Sequence, residues 1–261
     1  MNPVLIAALV LGGVGLVCAV LLVVASKFMA VPVDERFPKI RECLPGANCG
    51  GCGYAGCDGY ANALVDGSEE SISKCTAGGA AVAEALAKVT GKVAEAVEPK
   101  VAYVHCLGTC DKTEKKAAYN GTKTCKASKI LFGGEGACTF GCLGYGDCAA
   151  VCPQQAINVI NGVAHVNGAR CIACGKCVTT CPQKIVSLIP ADAAVKVTCS
   201  SKDKGPVVMK ACKAGCIGCG LCQRNCPAEA IKVEGFLATI DYDKCIGCGK
   251  CKEVCPRKCI L

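Results

Sequence analysis

Cys216-Ile-Gly-Cys219-Gly-Leu-Cys222-Gln-Arg-Asn-Cys226-Pro227 reads C-x2-C-x2-C-x3-C-P, and Cys245-Ile-Gly-Cys248-Gly-Lys-Cys251-Lys-Glu-Val-Cys255-Pro256 repeats it. Thiolates in this rhythm suit one-electron chemistry on iron–sulfur clusters. Three cysteines in one tight turn grip one cluster, and the fourth, stiffened by the following proline, reaches across to a second. Zinc ribbons want pairs of ligands separated by a longer loop.

Upstream stands a second pair of runs. Cys138-x3-Cys142-x5-Cys148-x3-Cys152-Pro153 has a widened opening, while Cys171-x2-Cys174-x2-Cys177-x3-Cys181-Pro182 is regular. Cys152 to Cys171 and Cys226 to Cys245 are both 19 positions, so a two-cluster unit of roughly 60 residues is duplicated. The crossed rule then groups the ligands. Cys138, Cys142, Cys148 and Cys181 share one 4Fe–4S cluster, and Cys152, Cys171, Cys174 and Cys177 the next. Cys216, Cys219, Cys222 and Cys255 share a third, and Cys226, Cys245, Cys248 and Cys251 a fourth. The first of these groups is the least regular, because of its widened opening.

A fifth set lies nearer the N-terminus: Cys49, Cys52, Cys57 and Cys75, spaced C-x2-C-x4-C-x17-C amid glycines. Such a set fits one 4Fe–4S cluster without borrowing a ligand, and it also suits zinc. Cys106, Cys110 and Cys125 are candidates for a sixth cluster, with Cys199 or Cys212 as fourth ligand; free or structural thiols are the alternative. Cys18, Cys43 and Cys259 fall in no set. His105 and His165 sit in no motif and read as strand or surface residues. The chain shows no nucleotide or flavin motif.

Composition agrees with clusters. The 261 residues include 28 cysteines but no Trp and only 4% aromatics, so large packed cores are not expected. In a reducing compartment that cysteine density means metal rather than disulfides. The formal charge is +8. Each four-thiolate cluster adds about −2, so five bring the holoprotein to about −2, and nucleic-acid binding is not expected.

The elements that position these cysteines follow. Pro3 to Ser26 carries no charge and is long enough for one transmembrane helix, with basic residues only after it, which predicts a cytoplasmic C-terminal bulk. Ala8, Gly12, Gly15 and Ala19 give spacings that permit close helix packing. Val82, Leu86, Val89, Val93 and Val97 predict an amphipathic helix over 79–98, weakened by Gly91 and ended by Pro99. Short strands are expected at Val163–Val166 and Phe236–Ile240. The expected fold is a string of small α+β iron–sulfur modules behind one N-terminal transmembrane helix: anchor 1–26, single-cluster 4Fe–4S domain 27–98, cysteine-containing connector 99–132, and two-cluster ferredoxin-like units 133–195 and 196–261.

An apolar N-terminal span, then Leu44-Pro-Gly-Ala-Asn-Cys49-Gly-Gly-Cys52-Gly-Tyr-Ala-Gly-Cys57, then ferredoxin repeats: this order resembles the B subunit of the Rnf complex, the ion-translocating ferredoxin:NAD+ oxidoreductase of bacterial membranes, in its clostridial or anaerobe form. The resemblance covers essentially the whole chain; the doubled two-cluster unit departs from shorter members. It implies an electron-transfer subunit at the plasma membrane, part of a redox-driven translocase with no complete catalytic site of its own. Single electrons would arrive from soluble ferredoxin and pass through five or six 4Fe–4S clusters to partner subunits that bind flavin and NAD. Lys250, Lys252, Arg257 and Lys258 are candidates for steering an acidic ferredoxin. A membrane-tethered polyferredoxin serving a hydrogenase or formate-oxidising complex is the alternative.

Overall fold

The computed structural model describes the backbone of residues 3–28, 34–94 and 98–261. Helix α1 (Pro3–Phe28) is apolar throughout its middle, and Val14, Leu16, Val17, Val20, Leu21 and Leu22 are all exposed. Among the described residues no helix is long and apolar enough to cross a membrane.

A helical module follows: α2 (Arg36–Cys43), α3 (Cys57–Asp66) and α4 (Gly79–Thr90). Ile40, Leu44, Tyr60, Leu64, Ile72 and Leu86 form its core, and Cys57 and Cys75 are part of that core. The expected helix over 79–98 is shorter than its periodicity suggests. Gly91 takes a left-handed conformation and its N–H closes on the Ala87 carbonyl, a glycine C-cap that ends the helix. Val93 is 91% exposed, and Val97 lies outside the described residues.

The two cysteine-rich units share one plan. The first contains β1 (Lys100–Val104), α5 (Cys125–Phe132), α6 (Asp147–Ala150), β2 (Ile157–Ile160), β3 (Val163–Val166), α7 (Lys176–Thr180) and β4 (Val186–Pro190). The second contains α8 (Gly205–Ala211), α9 (Leu221–Arg224), β5 (Ile231–Glu234), β6 (Leu237–Ile240) and α10 (Lys250–Glu253). Each has a hairpin on a two-residue turn. Asn161-Gly162 joins β2 to β3 and Gly235-Phe236 joins β5 to β6, all four residues at positive φ, as the tightest hairpins require.

The 99–132 segment is not a separate connector. Strand β1 pairs antiparallel with β4, Lys100 opposite Pro190 and Val104 opposite Val186. The second unit repeats the pairing in shorter form: Val197 bridges Ile260, and Thr198 N–H donates to the Cys259 carbonyl at 2.8 Å. Each unit is thus closed by a strand that precedes its first ferredoxin run. The pairing spans about ninety residues in the first unit, which local spacing does not reveal.

Gly144 and Gly218 hold the same place, eight residues before Cys152 and Cys226. Both have positive φ, and a methyl on either would stand 2.8 Å from backbone atoms of Gly162 or Phe236. The cysteine turn therefore lies directly on the hairpin turn. Gly249 also has positive φ, with nothing near its missing side chain. Gly218→Ala is expected to cost about 2–4 kcal/mol through clash and strain together, and Gly249→Ala about 1 kcal/mol from strain alone. The thermal midpoint for loss of cluster absorbance should fall distinctly further in the first variant.

Candidate iron–sulfur sites

The second unit gives the clearest arrangement. Cys216, Cys219 and Cys222 line a cavity with Cys255, which enters from the far run. Cys226, the last cysteine of the same run, does not line it. The Cys216 sulfur accepts N–H bonds from Gly218 and from Ala238 on β6. In the first unit the corresponding Cys142 accepts from Gly144 and from Ala164 on β3. Inward-pointing N–H groups favour the thiolate form that binds iron.

Cys259 is a fifth thiol at the second unit's cavity. It is buried, stands 3.6 Å from the Cys255 sulfur and donates to Cys216, which lowers the Cys216 thiol and raises its own. Its counterpart in the first unit is Ile185, also buried, so the position belongs to the core.

The first unit departs from the expected grouping. Its cavity is lined by Cys142, Cys148 and Cys181, together with Cys125. Cys138 is not part of that lining; it lies against a different cavity. Counting back from the Cys-Pro cysteine explains the exchange. Where the second unit has Cys219, the first has Tyr145. The Cys125 sulfur fills that place, accepting N–H bonds from Asp147, Tyr145 and Gly146. Asp147 reciprocates, its carboxylate accepting from the N–H groups of Cys125 and Lys126 at 2.9 and 3.0 Å at the start of α5. Burial, with the Cys142, Cys125 and Cys181 thiols beside it, pushes the Cys148 thiol up to about 12.

The runs between are more open. Cys171 accepts from Ala102 N–H on β1 at 3.4 Å, and Cys152 from Ala156 N–H at 3.3 Å. Burial first, then the neighbouring Cys171 and Cys174 thiols, raise Cys177 to about 11. Cys245 and Cys248 neighbour Cys251 in the same way. In the helical module Cys52, Cys49 and Cys57 all neighbour Cys75, whose sulfur accepts from Gly78 N–H.

Cys110 is exposed beside the β2–β3 turn and lines neither cavity of the first unit. His105 is committed elsewhere: Nδ1 donates to the Val197 carbonyl and Nε2 accepts from Ser187, both at 2.6 Å. His165 is exposed on β3. Among the described residues no group of three or more His, Cys, Asp or Glu is placed to hold a single metal ion. Thiols spread around a cavity suit a cuboidal cluster, in which each meets a different iron.

Family models for a 4Fe-4S dicluster domain match residues 135–182, 170–230 and 215–259, and an Fe-S cluster model matches 44–77. The chain is 46% identical over 242 residues to the B subunit of the proton-translocating ferredoxin:NAD(+) oxidoreductase complex of Clostridium ljungdahlii, covering 92% of this chain and 85% of that one. It belongs to the Rnf B-subunit family. The B subunit of the Na(+)-translocating ferredoxin:NAD(+) oxidoreductase complex of Acetobacterium woodii is 43% identical over 245 residues, 94% of this chain and 73% of its own. The corresponding protein of the ion-translocating oxidoreductase complex of Methanosarcina acetivorans is 38% identical over 94% of this chain and 93% of its own. This member of the family therefore carries several 4Fe–4S sites.

The N-terminal module is braced by Glu69. Its carboxylate pairs with Lys74, beside Cys75, and accepts from Ser71 N–H at 3.0 Å and the Tyr54 hydroxyl at 2.9 Å. Lys74 above all holds the carboxyl down at about 2. A depressed carboxyl gives stability that is present above the unfolded value of about 4.3 and is lost as pH falls toward the folded one. Glu69→Gln should flatten the acid sensitivity of this module between about pH 4 and 2, read by circular dichroism. In the second unit, Cys255→Ala should remove about four irons per chain, whereas Cys259→Val should leave the iron count unchanged.

Proposed function

We propose that the chain accepts single electrons from reduced ferredoxin at its second unit and delivers them, through the first unit and the helical module, to membrane-bound partners of an ion-translocating complex. The end-to-end similarity to the B subunits of ferredoxin:NAD+ oxidoreductase complexes carries this reading. The domains are the anchor 1–26, the helical module 27–98, the first unit 99–195 and the second unit 196–261. Bound 4Fe–4S clusters supply one-electron exchange without proton transfer or bond rearrangement. Cys49, Cys52, Cys57 and Cys75 hold one. Cys152, Cys171, Cys174 and Cys177 hold another, and Cys226, Cys245, Cys248 and Cys251 a third. Cys216, Cys219, Cys222 and Cys255 hold a fourth, and Cys125, Cys142, Cys148 and Cys181 a fifth.

The polypeptide's own task is to keep these cysteine sets in contact. Gly51, between Cys49 and Cys52, lies so close to the next set that a methyl on it would stand 3.2 Å from the Cys174 carbonyl oxygen. A glycine there lets the helical module and the first unit meet at their cysteine loops. Gly51→Leu should separate them and slow reduction of the N-terminal site at least tenfold in stopped-flow measurements, with the iron content intact. An unchanged rate would place that contact off the path.

The N-terminal segment supplies the tether. A helix apolar on every side, as α1 is from Gly12 to Ala25, finds its partner surface in lipid or in other helices. The lack of charge from Pro3 to Ser26 and the basic residues after it favour a single span with the modules in the cytoplasm. Removing residues 1–28 should shift the protein from the membrane to the soluble fraction.

At the other end, Lys250, Lys252 and Lys258 are exposed around the last cysteine run and suit an acidic donor. Arg257 is occupied: its guanidinium donates to the carbonyls of Cys212 at 2.7 Å and Gly215 at 3.3 Å, so it ties the run down rather than facing a partner. Lys250→Glu combined with Lys252→Glu should slow electron acceptance from ferredoxin about tenfold at low ionic strength, and salt should erase most of the difference. Equal rates at low salt would remove these lysines from the docking surface.

A further inference from the structure

The duplication reaches further than the ferredoxin runs. Aligned on Cys152 and Cys226, Cys142 corresponds to Cys216, and Cys138, four residues earlier, to Cys212. The closing strands continue the match. Val104 pairs with Val186 and Val197 with Ile260, and Val186 and Ile260 each stand five residues beyond the final Cys-Pro cysteine. Val104 therefore corresponds to Val197, and Cys106, two residues on, to Cys199. These four cysteines, left over once the five sets are filled, are two equivalent pairs, one from each unit.

All four line a single cavity between the units. Their surroundings repeat as well. The Cys106 sulfur accepts N–H bonds from Gly108 and from Cys142, both at 3.4 Å. The Cys199 sulfur accepts from Ser201 at 3.4 Å and from Cys216, the same two positions in the other unit. Cys138 accepts from Phe140 and Gly141. A methyl on Gly108 would stand 3.5 Å from the Cys106 sulfur and 3.6 Å from the Cys212 sulfur, so sulfurs from the two units flank one point no more than about 7 Å apart. The Thr113 hydroxyl, 2.6 Å from that same point, is buried without a hydrogen-bond partner.

We propose that Cys106, Cys138, Cys199 and Cys212 bind a sixth 4Fe–4S cluster at the junction of the two repeated units. Thiols turned toward one cavity, backbone N–H groups on sulfur and a spare hydroxyl donor are what an anionic cluster requires. The site is built jointly, so neither unit can form it alone. Cys142 and Cys216 border it through their N–H groups and belong by their side chains to the neighbouring sets, so the site bridges the two units' interiors.

The test is a metal and sulfide count on the purified full-length holoprotein, which does not depend on any electron-transfer partner. Six sites give about twenty-four irons and as many acid-labile sulfides per chain; five give about twenty. Cys106→Ala and Cys138→Ala should each lose about four irons, and the double variant still about four. Cys125→Ala with Cys138→Ala should lose about eight, because those cysteines serve different sites, and Cys110→Ala should lose none. A wild-type count near twenty overturns the proposal, and twenty irons with one zinc reassigns the site to a single metal ion. A Cys106/Cys138 double variant that loses eight irons also overturns it. Should the variants fail to fold, the wild-type count decides.

Discussion

Everything in the cysteine-rich part of this chain depends on turning backbone N–H groups inward, toward sulfur, without leaving them unpaired. A tight loop around a cavity cannot use helix or sheet hydrogen bonds, and thiol sulfur takes their place as acceptor. The loop must then reverse every few residues, and left-handed conformations recur at matched positions: Gly144 and Gly218, Gly146 and Gly220, Gly175 and Gly249, Lys184 and Lys258. Most are glycine, where the conformation carries no steric penalty. The same constraint explains the poor apolar content. Cys148 and Cys177 are core members in the first unit, and Cys216, Cys222 and Cys251 in the second, beside only a handful of aliphatic side chains. Such small cores hold little stability by themselves, so thiolate–cluster bonds contribute folding free energy in these units.

Much of this was legible in the sequence, for a local reason. The C-x2-C-x2-C-x3-C-P runs, the strand at Val163–Val166 and the hairpin return to Ile240 depend on neighbours within a few residues, and spacing records them. What was not legible depends on distant contacts. Strand β1 reads as irregular because its partner lies beyond two ferredoxin runs. The exchange of Cys125 for Cys138 was hidden because the nearest upstream cysteine looked like the natural member of the run. The usable signal was Tyr145, standing seven residues before Cys152 where a regular run has cysteine. The helix over 79–98 stopped at Gly91, since a left-handed cap outweighs a continuing apolar rhythm.

The two units match strand by strand as well as motif by motif. Each unit is an opening strand, a cysteine, a ferredoxin hairpin pair and a closing segment, and the two meet across a cavity to which both contribute equivalent residues. Within the second unit, Arg257 steadies the segment that carries Cys212 by donating to the carbonyls of Cys212 and Gly215. At the opposite end, Gly51 brings the helical module against the Cys174 loop. The cysteine sites therefore follow one another from module to module rather than standing as beads on a linker.

The central claim is that each closing Cys-Pro cysteine serves the run it does not belong to, so that the units fold around shared sites. An iron anomalous-scattering map of the full-length holoprotein tests it most directly. Crossed ligation places iron density among Cys216, Cys219, Cys222 and Cys255, with Cys226 bonded instead to the density beside Cys245, Cys248 and Cys251. Density bonded to Cys216, Cys219, Cys222 and Cys226 together, with Cys255 turned to its own run, would contradict it.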